Sequence, residues 1–455
     1  MTEVDNLILG GGIAGLAASY HLGHAKSLIL EGKPHPYGHI FSEVREGFTW
    51  DEGPHVSFTK SEYVKNLFEE SVGGGFKEYQ VQTGNYYQGH WIGHPAQSNL
   101  HQIPEPLRSN CLQSFLKERK NSTETKIQER DYGSWLMRAF GEVFATTFPS
   151  AYTRKYWTVE PWELGTDWIG PRVFFPSVDD VVAGAKGPLD RQTHYIQKVR
   201  YPTRGGYKSF AETLAKDANI RKSRRAVEVD LGRKTVRDEN GEMYSYRRLV
   251  STIPLATFLQ ICRNVPAEVK HACQCLSCTE LLLVNVGVNH PSKRKEDWIY
   301  VYDEDKYSTR INFIEKLSER NAPPCCSGIQ MEVNASKYKP SPESDEAIAD
   351  KVIREIEEMG LIDSSAEVRT LHAQRVPWAN VIFTKDTKPA LDKILDWLSI
   401  FGLSRESDDT HPLTDWSSKS PQPAGDLNLA GRYAQWKYYW TDDCVLRSYS
   451  WNDLY

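Results

Sequence analysis

The chain has 455 residues with 40% hydrophobic content, which is too long for one small core and predicts two or three domains with a sizeable interior. Its net charge of −5 offers no basic surface for nucleic acid, and no apolar run approaches the roughly 20 residues of a membrane span. No signal peptide, disulfide framework or metal-binding cysteine pattern is present, so a cytoplasmic protein without metal, nucleic-acid or membrane partners is expected.

The N-terminal residues predict a strand, a glycine turn and a helix. Residues 7–9 are apolar, residues 10–15 read Gly-Gly-Gly-Ile-Ala-Gly, and residues 16–22 continue as a helix. A second apolar run ends in Glu31, about 20 residues after the first glycine, as dinucleotide-binding folds require. The glycines allow the backbone to approach a pyrophosphate, and the carboxylate accepts hydrogen bonds from a ribose hydroxyl. The expected nucleotide contacts are Gly10, Gly12, Ile13, Ala14, Gly15 and Glu31.

Between residues 47 and 166 the pattern changes from strands to helices. Residues 48–55 predict a strand ending in a Gly-Pro turn, and residues 61–71 an amphipathic helix. Residues 86–92 predict two strands joined by a Gln-Gly turn. From about 104 to 166 the pattern is helical. One buried helix face is predicted for Trp135, Leu136, Ala139, Phe140, Val143 and Phe144.

Strands dominate the second half of the sequence. Residues 226–230 and 235–237 predict a strand pair, and alternating strands are expected over 279–335. Helices are predicted near 344–359 and 388–402, and the polar stretch 404–425 as a surface loop. The segment 428–432 predicts a strand that ends at a glycine turn.

Six segments of the sequence follow one another in an order that is typical of a known protein family. They are residues 48–55, 87–100, 152–173, 201–206, 298–323 and 431–438. Together they resemble the flavoprotein superfamily of amine oxidases and protoporphyrinogen oxidases, and within it the UDP-galactopyranose mutases. The similarity extends over nearly the whole chain.

The resemblance implies an enzyme that uses FAD, in its reduced form, to interconvert the pyranose and furanose forms of a nucleotide-linked sugar. It implies a nucleotide-sugar substrate and an external reductant such as NAD(P)H or a reductase, and it indicates no oligomeric state. The catalytic residues that it implies are His55, Arg172, Tyr300 and Arg310. The substrate-binding residues that it implies are Tyr87, Asn99, Trp157, Arg172, Tyr300, Arg310 and Asn380. The cofactor contacts that it adds are Gly38, His39, Gly53, Pro54, His55, Val227, Gly431, Arg432, Trp436 and Tyr438.

Each implied role has a chemical basis and a plain alternative. The guanidinium groups of Arg172 and Arg310 suit a diphosphate, but an arginine near a strand end also forms structural salt bridges. His55 is expected to hold a proton near flavin N5. Tyr300 and Trp157 suit a phosphate or sugar and a nucleobase respectively, although both residue types also serve as core.

Two positions depart from the mutase pattern. Tyr37-Gly38-His39 stands where a glycine doublet is expected, so the turn close to the flavin is altered. Asn380-Val381 stands where mutases place tyrosine and proline, and that tyrosine contacts the diphosphate. The substrate therefore need not be UDP-galactose.

The expected fold class is α/β, with an FAD-binding Rossmann-like (GR2-type) domain, an inserted helical domain and an antiparallel β-sheet substrate domain. The FAD-binding domain is assigned to 1–78, 205–256 and 420–455, and the helical domain to 104–170. The substrate domain is assigned to 79–103, 171–204 and 257–419.

Two other functions remain open. An oxidase acting on an amine or a porphyrinogen has the same fold but needs no diphosphate clamp. A non-catalytic flavin-binding protein is compatible with Tyr37 and Asn380.

Overall fold

The computed structural model describes residues 1–122, 130–169, 175–189, 198–341, 343–406 and 423–451. The strands are β1 (Thr2–Leu9), β2 (Ser27–Leu30), β3 (Ser42–Arg45), β4 (Phe48–Asp51), β5 (Phe76–Gln80), β6 (Thr83–Tyr87), β7 (His90–Gly93), β8 (Lys198–Pro202), β9 (Ile220–Arg221), β10 (Ala226–Asp230), β11 (Thr235–Asp238), β12 (Met243–Ser251), β13 (Ser277–Cys278), β14 (Glu280–Val288), β15 (Trp298–Val301), β16 (Arg310–Phe313), β17 (Ser327–Ala335), β18 (Val368–Val376), β19 (Val381–Ile382) and β20 (Leu427–Leu429). The α-helices are α1 (Ile13–Leu22), α2 (Glu62–Ser71), α3 (Leu107–Ser122), α4 (Tyr132–Phe140), α5 (Glu142–Ala145), α6 (Ala151–Tyr156), α7 (Val178–Lys186), α8 (Glu212–Ala215), α9 (Leu255–Ile261), α10 (Ala267–Cys275), α11 (Ile314–Leu317), α12 (Asp345–Glu358), α13 (Thr387–Ser399) and α14 (Thr441–Leu446).

The first large sheet contains the N-terminal strand at its centre. Its order is β10-β11-β12-β1-β2-β9, with β20 paired to β12. Strand β1 runs parallel to both β2 and β12, and β12 runs parallel to β20. Parallel strands buried on both faces need continuous apolar runs, and Leu7, Ile8 and Leu9 provide one with at most 1% exposure. The β1–α1–β2 unit is the Rossmann-like element that the sequence predicts.

The second large sheet separates an apolar face from a polar face. Its order is β18-β14-β17-β16-β15-β6-β7, and its neighbours are antiparallel except for β15 and β6. Ile311 and Met331 belong to the apolar cluster that α12 joins through Val352. Because side chains alternate along a strand, Arg310 and Glu332 lie on the opposite face.

The helical segment differs from the prediction of a single buried face. Helix α4 ends at Gly141, which has φ +75°, and the chain starts again as α5. A Cβ on Gly141 would lie 2.5 Å from the backbone nitrogen of Phe115, so the close approach of α3 requires glycine there. Trp135, Leu136 and Phe144 are buried as predicted.

The predicted α/β fold class, with a Rossmann-like unit, helices and an antiparallel sheet, is confirmed. The domain boundaries stay a prediction, and most of the predicted loop at 404–425 lies outside the described residues. Within the described ranges, every helix is too short or too polar to cross a lipid bilayer.

We expect Gly15→Ala to disrupt the first turn. A Cβ on Gly15 would lie 2.0 Å from the carbonyl oxygen of Gly10, and backbone cannot yield as a side-chain tip can. The strain should lower the free energy of unfolding by roughly 1–3 kcal/mol. Urea denaturation of the purified protein measures this.

Gly187→Ala is the matched control, because no atom of the described residues lies within 4 Å of a Cβ at Gly187. Equal stability of the two variants would contradict the packing argument.

Candidate active site

The first glycine turn lies against a second glycine. Gly10 has φ +96°, and its N–H donates to the carbonyl oxygen of Leu30 at 2.9 Å. A Cβ on Gly38 would lie 2.9 Å from the Cα of Gly12, so these two positions form a cradle without side chains. The backbone of the two turns is thereby open to a bound phosphate, which fits the predicted dinucleotide.

Glu31 lies beneath the turn. Its carboxylate is 8% exposed and accepts hydrogen bonds from the backbone nitrogens of Gly11 and Lys33, each at 2.7 Å. These bonds fix the carboxylate at the end of β2, where the ribose of a nucleotide is expected.

The C-terminal turn at Gly431 lies against the start of helix α1, next to the N-terminal glycine turn. A Cβ on Gly431 would lie 3.0 Å from the Cβ of Ala14, so this turn packs on the start of α1. The Arg432 guanidinium lies 5.5 Å from the ring of Tyr438, and its Nε donates to the carbonyl of Tyr439 at 2.7 Å. The structure therefore brings residues from both ends of the chain to one place, as the sequence predicts.

Two predicted cofactor contacts have other surroundings. Val227 is half-buried at an irregularity in the pairing of β10 with β11. Trp436 is fully buried, and its indole N–H has no hydrogen-bond partner among the described residues.

His55 follows the turn Gly53-Pro54 and is held as a neutral imidazole. Its Nδ1 lies 2.9 Å from the carbonyl oxygen of Gly53, and its ring packs against Tyr207. Burial lowers the pKa of His55 to about 4, and the Arg432 charge adds to this shift. If Nδ1 donates to Gly53, Nε2 remains as an acceptor.

A second histidine, His39, pairs with a buried carboxylate. Its Nδ1 lies 2.9 Å from Oε1 of Glu52, whose other oxygen lies 3.5 Å from Lys33 Nζ. Burial alone would raise the pKa of Glu52, but the hydrogen bond and charge of His39 outweigh it and lower that pKa. The altered turn at 37–39 therefore places His39 in a hydrogen bond with a buried carboxylate.

Arg310 is bound to Glu332 across two neighbouring strands. Nε and Nη2 of Arg310 donate to the two carboxylate oxygens at 3.0 and 2.6 Å, in direct register between β16 and β17. Burial would lower the pKa of Arg310, but Glu332 outweighs it and raises that pKa. Nη1 makes no hydrogen bond to the described residues and is the nitrogen left for a ligand. A Cβ on Gly53 would lie 3.5 Å from Oε1 of Glu332, so the His55 turn adjoins this pair.

Phenols surround Arg310. The ring of Tyr300 lies 5.6 Å from that of Tyr152, whose hydroxyl has no partner among the described residues. The Tyr156 hydroxyl donates to Oδ1 of Asn380 at 2.9 Å. Burial raises the pKa of all three tyrosines, so they remain protonated hydrogen-bond donors. The unexpected Asn380 thus lies at the site and orients a phenol.

Other predicted substrate residues have contacts of their own. Tyr87 packs edge-on against Phe148, and the Asn99 side chain donates to the carbonyl of Pro95 at 3.0 Å. Trp157 is 6% exposed and packs on Trp168 within the helical segment. Arg172 lies outside the described residues, so its predicted role stays a prediction.

The residue that sequence reasoning missed is Asp51. Its Oδ1 accepts from the Ser42 hydroxyl at 2.6 Å and the Tyr207 nitrogen at 3.0 Å, and its Oδ2 accepts from the Tyr201 hydroxyl at 2.6 Å. Its own carbonyl accepts from Nε2 of Gln330 at 2.9 Å. The signal was a carboxylate at the end of an apolar strand, just before the turn that positions His55. Glu332 was also missed, because only the strand register places it beside Arg310.

Comparison with known proteins identifies the class. The chain belongs to the flavin containing amine oxidoreductase family, which matches residues 13–446. Among solved structures, reduced UDP-galactopyranose mutase is similar at 21% identity, with a TM-score of 0.86 over 98% of this chain and 94% of that one. A protoporphyrinogen oxidase described as putative, from Exiguobacterium sp. 255-15, is similar at 17% identity, with a TM-score of 0.72 over 99% and 98%. Putrescine oxidase bound to putrescine is similar at 12% identity, with a TM-score of 0.61 over 98% and 97%.

These likenesses show a shared fold, and the family membership confirms the resemblance seen in the sequence. The family match indicates a flavin as the cofactor.

We expect Asp51→Asn to destabilise the protein and to reduce the amount of flavin it retains. Oδ2 of Asp51 accepts from the Tyr201 hydroxyl whether or not the carboxyl group is protonated, whereas an amide nitrogen cannot accept, so that hydroxyl loses its partner. The free energy of unfolding should fall by about 1–3 kcal/mol. Asp426→Asn is the matched control, because that carboxylate is exposed and bound to Lys234.

The pH dependence of the stability difference tests whether the carboxyl group of Asp51 is responsible. Burial raises the pKa of Asp51 from its ordinary value to about 6, so the folded state holds its proton more tightly than the unfolded state. Its contribution to stability is present at low pH and is lost as the pH rises through about 6. The stability difference between wild type and Asp51→Asn should shrink from about pH 4 to about pH 7. A difference that grows with pH would contradict this assignment.

Proposed function

We propose that the protein is an FAD-dependent mutase that interconverts the pyranose and furanose forms of a nucleotide-linked sugar. The observation that carries this proposal is the buried Arg310, fixed on one edge by Glu332 and surrounded by phenol donors. A guanidinium whose Nη1 makes no hydrogen bond within the described part of the chain, and which lies among hydroxyl donors, suits an anionic, hydroxyl-rich ligand.

The cradle supports FAD as the flavin, because it suits a dinucleotide whose ribose 2′-hydroxyl is free. The carboxylate of Glu31 would repel a 2′-phosphate but accepts hydrogen bonds from a ribose 2′-hydroxyl, and the Gly12–Gly38 contact leaves backbone N–H groups for a pyrophosphate. When bound and reduced, FAD supplies a nucleophilic nitrogen for the anomeric carbon of the sugar.

The chain's own residues bind and orient the substrate. Arg310 and, by resemblance, Arg172 hold the diphosphate and stabilise the charge that develops on it as the nucleotide leaves. Tyr300 and Tyr152 donate hydrogen bonds to the ligand, since neither hydroxyl proton is bound to an acceptor among the described residues. Tyr156 donates its proton to Asn380 and therefore offers the ligand only an acceptor oxygen. His55 remains neutral at physiological pH, so its Nε2 can accept a hydrogen bond near the reacting centre.

The same features argue against an amine substrate. A cationic amine would meet the charges of Arg310 and Arg432. An external reductant such as NAD(P)H or a reductase is part of the proposal, because a redox-neutral reaction on reduced FAD needs an initial reduction.

The direct test uses protein purified with its cofactor. We expect a yellow preparation with bound FAD that, after dithionite reduction, converts a nucleotide-hexopyranose to its furanose without net flavin oxidation. Chromatography of the nucleotide sugars measures the product. Oxygen consumption in proportion to product would establish an oxidase, and FAD binding without turnover on a panel of nucleotide sugars and amines would indicate a non-catalytic protein.

A charge-neutral double variant tests the diphosphate role. Arg310→Met with Glu332→Gln removes the guanidinium without leaving the carboxylate buried and unpaired. We expect nucleotide-sugar binding to weaken by about 1.5–3 kcal/mol, the range for a hydrogen bond to a charged group. Titration followed by the flavin spectrum measures this.

Arg375→Met serves as the control for that variant. Arg375 lies on the same sheet and pairs with Glu280 and Asp345, but its side chain is 36% exposed. Unchanged binding in the double variant would remove Arg310 from the site.

A further inference from the structure

A buried lysine next to the candidate site has no role in the reaction described above. Lys155, on α6, is 5% exposed, and among the described residues it forms no ion pair. Its ammonium donates instead to three backbone carbonyls, those of Val301 at 3.0 Å, Asp303 at 2.7 Å and Ser308 at 2.8 Å. Burying a charge is costly unless all its donors are satisfied, and here all three are.

The carbonyl of Val301 lies at the end of β15, and those of Asp303 and Ser308 lie in the connection between β15 and β16. That connection has Tyr300 just before it and Arg310 just after it, in direct register across the two strands. One ammonium therefore binds both the residues that follow β15 and the residues that precede β16. The opposite side is held by Glu355, whose carboxylate accepts from the backbone nitrogen and the hydroxyl of Ser308 at 3.0 and 2.7 Å.

The helix that carries Lys155 also carries two of the site phenols. Tyr152 lies three residues before Lys155, hence on the same helix face, and its ring contacts that of Tyr300. Tyr156 binds Asn380. Lys155 thus fixes the distance between helix α6 and the β15–β16 connection, which border the site and come from different parts of the chain.

We propose that Lys155 is a positioning residue, whose ammonium locks the β15–β16 connection onto α6 so that Arg310 and the phenols stand at the spacing that a nucleotide diphosphate requires. This proposal rests on the proposed function for its ligand. We call the three hydrogen bonds of the Lys155 ammonium the lock. The lock is present in the free protein and is tested separately.

The charge of Lys155 matters as well as its presence. Burial lowers the pKa of Lys155 to about 7, against the charges of neighbouring carboxylates. The charged groups that also shift the pKa of Lys155 are Glu355, Asp303, Asp305 and Lys339. Arg154 lowers the pKa of Glu304, and the charge of Lys155 adds to this effect. A neutral amine has two N–H groups for three carbonyls, so the lock should loosen as the pH rises through about 7.

The test compares Lys155→Met with Arg154→Met in the flavin-loaded full chain. Arg154 joins the same helix to the same connection through Glu304, at 2.6 Å, but that pair is partly exposed and is expected to contribute little. Hydrogen exchange of the peptide covering residues 298–313 reports the lock without any ligand. Titration with UDP-glucose, whose diphosphate diester keeps its charge over the pH range used, reports the binding site.

We expect Lys155→Met to accelerate exchange at residues 298–313 and to weaken UDP-glucose binding at least about tenfold, while retaining its flavin. Arg154→Met should match wild type within about twofold in both measurements. In wild type, affinity should fall between about pH 6 and about pH 8.5, and Lys155→Met should lose this dependence.

Unchanged exchange or unchanged pH dependence in Lys155→Met would overturn the proposal. If that variant fails to fold, the wild-type protection of residues 298–313, corrected for intrinsic exchange, must fall over the same pH range, and constant protection would overturn it. If wild type does not bind UDP-glucose, the proposed function fails, whereas the exchange measurement still decides the lock.

Discussion

The buried carboxylate of Asp51 is the interaction on which the site depends. It joins the β3–β4 hairpin to Tyr201 and Tyr207, which lie 150 and 156 residues further along the chain. Its carbonyl adds Gln330, on β17 of the second large sheet. The side chain and the backbone of one residue therefore connect the glycine turns to the sheet that carries Arg310. An uncompensated carboxylate in this position would be costly, and the surrounding donors make it tolerable.

The polar face of the second sheet fixes the positions of the site side chains but adds little to the free energy of unfolding. A buried ion pair such as Arg310–Glu332 offsets its desolvation only in part, and an apolar pair of the same size would often be as stable. What the pair provides is a guanidinium with a fixed plane, whose Nη1 has no hydrogen-bond partner in the ranges that the structure describes. The apolar cluster around α12, on the other face of the same strands, supplies the stability that such a polar face lacks.

The sequence predicts local geometry well and long-range pairing poorly. The turn at Gly10 to Gly15 is readable because its constraints act within a few residues, and Glu31 follows from a fixed spacing. Glu332 and Lys155 have no such local signature, since their partners are set by strand register and by the docking of a helix on a hairpin. The break at Gly141 was missed for the same reason, because the backbone of α3 demands it. Asn380 was noticed as a departure, but its bond to Tyr156 required the structure.

The C-terminal turn has a consequence for how the protein is made. Strand β20 completes the sheet beside β12, and Gly431 packs on Ala14 at the start of the first helix. A ribosome delivers β20 and Gly431 long after β1 and α1, so the nucleotide cradle stays open on one side until this turn has been made. Cofactor capture must then follow synthesis of the turn instead of guiding it. Early-stopped chains would contain the glycine motif and still be unable to close it.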